Sequence, residues 1–137
     1  MNNRNPILLV EDDLIDAMMV KRALNELNVP NKLIHHENGE DALNYLKKKS
    51  LKRPAIILLD LNMPRMDGIE FLEIVKKDTA LKLIPIIILT TSSEHNVLLR
   101  SFSHNVAGYM VKPVDYHDFV ELIKTISNYW SQSKLPH

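Results

Sequence analysis

The chain has 137 residues, and its 17 Lys and Arg balance 17 Asp and Glu, so the formal net charge is zero. That balance leaves no basic footprint for nucleic acid and no cationic face for an anionic membrane surface. With no Cys, disulfides, thiol chemistry and Cys-based zinc sites are excluded, and the opening "MNNRNPILLVEDD" holds too short an apolar run for a signal peptide or a membrane span.

The first apolar run, "ILLV" before Glu11 and Asp12, reads as a buried strand. Asp13 and Asp16 then read as a helix N-cap and first-turn charges. Met19, Val20, Ala23, Leu24 and Leu27 follow at helical spacing. The more polar "NKLIHHE" suits an edge strand. Its adjacent His35 and His36 point to opposite faces of any sheet, so they read as surface histidines rather than a metal pair. Ala42, Leu43 and Leu46 mark a second helix, and "KKK" reads as its solvated last turn, where positive charge suits the helix dipole.

"AIILL" delivers Asp60 at the end of a third strand. Pro64 and the Asp67–Gly68 turn then lead into a helix on Ile69, Leu72 and Val75. "PIIIL" ends at Thr90, and Val97, Leu98 and Phe102 mark a fourth helix. "AGYMV" ends at Lys112, and Phe119, Leu122, Ile123, Ile126 and Trp130 mark a fifth helix, with Trp130 suited equally to a core or an interface. The tail "SQSKLPH" is polar and reads as frayed. Four of the strand candidates are apolar throughout, as strands buried on both faces are. Strands alternating with helices predict a single doubly wound α/β sandwich over 1–137, its core spanning about 6–131. Such a chain is expected to be soluble and cytoplasmic.

In doubly wound folds the site lies beyond the carboxyl ends of the strands. Those ends carry Glu11 and Asp12, Asp60, Thr90 and Lys112. Carboxylates held close together repel unless a cation joins them, and oxygen-only donors select a hard ion, Mg²⁺ best of all. Metal, ammonium and hydroxyl together are what a phosphoryl group needs. A carboxylate can itself attack phosphorus, and Asp60, on a central strand, is the best-placed nucleophile.

With "LLVEDD", "LLDLNMPRMDG", "IIILTTS" and "GYMVKP" in this order, the chain resembles the receiver domain of two-component response regulators over nearly its whole length. The resemblance implies the flavodoxin-like (βα)5 fold with a parallel sheet in order 2-1-3-4-5. It implies Asp60 as phosphoacceptor, Glu11 and Asp12 as the acidic pair holding Mg²⁺, and Asn62 as donor of a backbone carbonyl to the metal. It further implies Thr90 as the switch hydroxyl, Lys112 as its phosphoryl-pairing partner, a cis peptide before Pro113, and Tyr109 as the aromatic whose rotamer follows the switch. The implied donor is the phosphohistidine of a sensor histidine kinase or a small phosphodonor. A slow loss of the phosphate would follow.

The region "KKDTALKLIPIIILTTS" and the tail with Tyr129 and Trp130 are similar to small regulators paired with bacterial phytochrome kinases. Such relatives often dimerise through the fourth helix, fifth strand and fifth helix, the face that would also signal to a downstream protein. With nothing beyond the fifth helix but a short tail, a stand-alone receiver without a DNA-binding domain is expected.

Three other functions are weaker. A phosphohydrolase needs a second acid two residues after its nucleophile, and Asn62 stands there. A flavin or nucleotide carrier needs a Gly-rich phosphate loop, and three scattered glycines form none. A phosphate-independent receiver-like module that only binds partners would not need the complete set of acids, hydroxyl and lysine.

Overall fold

The computed structural model describes residues 5–48, 52–63, 66–91 and 100–132. Five strands, β1 (Ile7–Val10), β2 (Leu33–His36), β3 (Ile56–Leu59), β4 (Ile86–Thr90) and β5 (Gly108–Val111), form one sheet in the order β2-β1-β3-β4-β5. All four pairings are parallel. Helices α1 (Leu14–Glu26), α2 (Gly39–Leu46) and α3 (Gly68–Lys77) follow the first three strands, with a 3₁₀ turn at Leu81–Leu83 before β4. Residues 100–102 are helical and form the described part of α4, and α5 (Tyr116–Gln132) closes the fold. Of the residues expected to mark the fourth helix, Val97 and Leu98 lie outside the described residues, as do Pro64 and the end of the tail.

The central strands are apolar, up to Thr90 at the end of β4, because both faces are covered. Leu8, Val10, Ile57, Leu59, Ile86 and Ile88 face one way, onto α2 and α3 residues such as Leu43, Phe71 and Leu72. Ile7, Leu9, Ile56, Leu58, Ile87 and Leu89 face the other, onto Val20 and Leu24 of α1 and Phe119, Ile123, Ile126 and Trp130 of α5. Full burial of such a side chain is worth about 1.5–3 kcal/mol relative to exposure, so these two layers carry the fold. Trp130 is 1% exposed and therefore core.

Three expectations need correction. β5 is not buried on both faces: it stands at the sheet edge, half-buried, with Val111 46% exposed, and among the described residues no further strand pairs with it. The lysine run does not form the last turn of α2, which ends at Leu46 with Lys47 as its C-cap. The peptide before Pro113 is trans, as no cis bond occurs among the described residues; trans is the form an X–Pro bond favours by about 0.5–1 kcal/mol when nothing selects the other.

Candidate functional site

Glu11, Asp60 and Lys112 each stand one step beyond a strand, Thr90 ends β4, and the backbone ladder continues through the first three. Glu11 N–H donates to His36 O at 3.0 Å, Asp60 N–H to Val10 O at 3.0 Å, and Lys112 N–H to Thr90 O at 2.8 Å. The side chains therefore leave a rigid edge in fixed register, Val10 being level with Leu59 and Leu59 with Ile88.

After β1 the chain turns at Asp13, the N-cap of α1, whose Oδ1 accepts from Ile15 N–H at 2.9 Å and Asp16 N–H at 3.2 Å. After β3 it turns into α3, capped by Asp67, which accepts from Glu70 N–H at 2.9 Å. Both acids thus serve the helices rather than the chemistry. Gly68 opens α3 against the acceptor segment. A Cβ there would lie 2.6 Å from Leu61 Cα and 2.9 Å from the Asp60 carbonyl oxygen.

Glu11, Asp60 and Thr90 are buried. Thr90 Oγ1 donates to Asp60 Oδ1 at 2.8 Å, and Asn62 N–H donates to the same oxygen at 3.3 Å. The second oxygen, Oδ2, lies 3.8 Å from Lys112 Nζ. That ammonium also donates to Glu11 Oε1 and, at 2.8 Å, to Asp16 Oδ2. Glu11 Oε2 accepts from Asp13 N–H at 3.2 Å. Tyr109, on β5, is half-buried, and its ring lies 6.5 Å from that of Phe102.

Among the described residues, Glu11, Asp12 and Asp60 form the group suited to a metal ion, each offering a carboxylate oxygen within 4.8 Å of the others. Two of these acids are buried, so the group is strained without a cation. Burial and the hydrogen bond shared with Asp60 push the Glu11 carboxyl up to about 8, against the pull of Lys112. Burial works to lower the Lys112 ammonium, but its bonds to Asp16 and Glu11 and the charge of Asp60 outweigh it, and the net shift is upward. A hard divalent cation is the partner that two buried carboxylates and one solvent-facing carboxylate fit. Beside them an open cavity of about 420 Å³ runs along Asp12, Asn62, Met63, Asp67 and Arg100, so that Asp12 faces open space at the mouth of the group.

Residues 7–124 match the family described as response regulator receiver domain. The chain belongs to the response regulator receiver family. Its likeness extends over nearly the full length of several relatives. The probable methanogenesis regulatory protein FilR2 of Methanothrix harundinacea is 36% identical over 129 residues, covering 90% of this chain and 82% of that protein. Response regulator Rcp1 of Synechocystis is 33% identical over 131 residues, covering 93% and 89%. The solved Mn²⁺-bound form of Rcp1 superposes with a TM-score of 0.89 at 32% identity, covering 98% of this chain and 99% of that one. The phosphorylated cyanobacterial phytochrome response regulator RcpA does so with a TM-score of 0.90, also at 32% identity and with the same coverage. Receivers are signalling proteins that bind a divalent metal and work with sensor histidine kinases, and the five-stranded sheet in order 2-1-3-4-5 is their fold. No helix among the described residues is long and apolar enough to cross a membrane.

The receiver site also contains groups that the sequence did not mark. Asp16 bonds Lys112 in addition to its first-turn placement. His35 is half-buried, and its Nε2 donates to the Glu11 carbonyl at 2.7 Å, fixing the backbone that carries that acid. His36 is also half-buried, its ring 5.4 Å from that of Tyr45. Neither histidine is the surface residue expected.

The Nε2 of His36 is buried without a partner, and burial lowers its pKa. Its charged form is therefore disfavoured in the native state. Above pH 6.5, the ordinary value, both states are neutral; as pH falls below it the unfolded chain protonates first and stability drops. His36→Phe keeps a ring against Tyr45 and binds no proton. In Mg²⁺-saturated buffer, by circular dichroism, the melting temperature of this variant relative to wild type should rise as pH is lowered from 7.5 to 5.5, and an unchanged difference would exclude His36 as a pH-sensitive group.

Proposed function

We propose that this chain is a single-domain response regulator that accepts a phosphoryl group on Asp60 and uses it to change its signalling face. The observation that carries the reading is Asp60 itself. It is a buried carboxylate grouped with Glu11 and Asp12, with Thr90 Oγ1 at 2.8 Å and Lys112 Nζ at 3.8 Å. A carboxylate oxygen of Asp60 forms the bond to phosphorus while the bond to the donor's imidazole nitrogen breaks, and the imidazole leaves as the neutral ring after taking up a proton.

Glu11, Asp12 and Asp60, with the backbone carbonyl of Asn62, would hold Mg²⁺, which supplies charge neutralisation on the transferring phosphoryl group. That Rcp1, a similar protein, has been solved in an Mn²⁺-bound form supports a divalent ion as the partner of these acids. Lys112 offers a second positive charge to the phosphoryl oxygens, and Thr90 exchanges its bond to Asp60 Oδ1 for one to a phosphoryl oxygen. Movement of Thr90 frees Tyr109 to follow, and the surface formed by α4, β5 and α5 changes shape. This is a two-state shift biased by one local charge. That surface is the proposed contact for a downstream protein and for a homodimer. The same groups catalyse slow hydrolysis of the phosphoryl group, and transfer onto Asp60 and its loss from Asp60 are the chemistry assigned to the chain. The phytochrome response regulator RcpA makes a phytochrome-type sensor kinase, acting in the cytoplasm, the natural donor.

The test is intact-protein mass after incubation with Mg²⁺ and an acyl phosphate, and separately with phosphorylated histidine kinases. The gain of one phosphoryl group is expected. No gain from either donor, with folded protein, would replace this reading with a phosphate-independent binding module.

A further inference from the structure

Lys112 has more acidic partners than phosphoryl transfer requires. Its side chain is 6% exposed and meets three carboxylates: Glu11, Asp16 at 2.8 Å and Asp60 at 3.8 Å. Glu11 and Asp60 belong to the group that can hold a cation, whereas Asp16 does not. A divalent cation held by this group would compete for the carboxylates of Glu11 and Asp60 and repel the neighbouring ammonium, so that two of the three anchors of Lys112 would weaken when the site is loaded.

Asp16 stands apart from that conflict. It lies in the first turn of α1, and its backbone is fixed by the bond from its N–H to Asp13 Oδ1. Its side chain is 28% exposed, at the rim of the site, where it can exchange its partner. We propose that Asp16 is a positioning residue. It is the counter-ion that keeps Lys112 beside the cation site once a divalent cation has engaged Glu11 and Asp60, and it releases the ammonium to the phosphoryl group. The release rests on the reading of Asp60 as acceptor; the holding does not.

A purely local role makes a different prediction. A first-turn acid that only complements the helix dipole affects the stability of α1 and leaves Lys112 unchanged. The two roles separate in the ¹⁵N signal of the Lys112 ammonium, identified by its absence in Lys112→Met and followed in metal-free and Mg²⁺-saturated protein. In Mg²⁺-saturated wild type the signal should persist with slow proton exchange. In Asp16→Asn, a nearly isosteric change that keeps an acceptor oxygen and removes its charge, exchange should quicken several-fold, because the ammonium loses its ionic partner. Asp16→Glu should restore most of the protection. Without Mg²⁺, where Glu11 still holds the ammonium, the change in Asp16→Asn should be smaller.

Unchanged exchange in Mg²⁺-saturated Asp16→Asn, or an equal change with and without Mg²⁺, would overturn the proposal. Because the signal does not depend on phosphorylation, its outcome is independent of whether wild type gains phosphoryl mass.

Discussion

Asp60→Asn should take up no phosphoryl group from any donor, a complete loss rather than a slowing, while its native circular dichroism is retained. The amide oxygen of Asn can still accept from Thr90 Oγ1, which donates to Asp60 Oδ1 at 2.8 Å, so the buried hydroxyl keeps its partner. What disappears is the anionic oxygen that attacks phosphorus. The variant should also be more stable than wild type in metal-free buffer. Glu11 is held up at about 8 by burial and by Asp60, and neutralising Asp60 removes the second of these.

The sign of the pH dependence follows from that shift. A carboxyl whose native pKa lies above its ordinary 4.5 leaves stability intact below that value and costs progressively more as pH rises to about 8, because the unfolded chain ionises first. Metal-free wild type should therefore lose melting temperature between pH 5 and pH 8, Asp60→Asn should lose less, and Mg²⁺ should flatten the wild-type curve by favouring ionised Glu11. Phosphoryl mass on Asp60→Asn would place the acceptor on another residue, and an equal pH slope in the two proteins would remove Asp60 as a cause of the Glu11 shift.

Gly68→Ala should have the largest effect of any single-methyl change near the site. A Cβ at Gly68 would meet the backbone of the acceptor segment at 2.6 Å from Leu61 Cα, 2.7 Å from Leu61 Cδ2 and 2.9 Å from the Asp60 carbonyl oxygen. Backbone cannot swing aside as the end of a flexible side chain can. Relief requires α3 to lift or the Asp60–Leu61 segment to move, and the Gly68 N–H bond to Leu61 O at 3.1 Å goes with it. Overpacking of this kind costs about 1–3 kcal/mol. Urea titration should show a loss of about that size, and the rate of phosphoryl uptake should fall because Asp60 is carried on the displaced segment. The Gly39 position gives a control. A Cβ there meets only the Met66 side chain, at 3.1 Å and beyond, so Gly39→Ala should cost less. Equal losses at the two glycines would show that helix N-terminal glycine, rather than contact with the acceptor strand, sets the effect.

The sheet and the site edge were readable because one sequence signal encodes both. A strand covered on two faces must be apolar along its buried length, as β1 and β3 are throughout and β4 is up to Thr90, so the first polar residue of each run marks the edge of the sheet where the site lies. β5 carries the same kind of run, but its place at the edge depends on what does not pair with it, which no local pattern records. Asp16 was legible only as a first-turn acid, because its partner Lys112 lies 96 residues away in the chain. His35 is similar: its bond to the Glu11 carbonyl follows from parallel pairing of β1 with β2, in which Leu9 is level with His35 and Val10 with His36. Gly68 read as part of a turn, since close approach to Leu61 becomes visible only when α3 is laid beside the end of β3.

The continuation of the backbone ladder through Glu11, Asp60 and Lys112 has a further consequence for how such a chain can vary. Side chains along β1, β3 and β4 can be exchanged for others of similar volume at modest cost, since the two apolar layers ask for size and not for identity. Strand length has no such latitude. Deleting one residue from Ile56–Leu59 would withdraw Asp60 by about 3.3 Å and turn it to the opposite face of the sheet. Three strands counted from a common level act as gauge blocks, and tolerance to insertion or deletion should be lowest in the segments least particular about which apolar residue they contain.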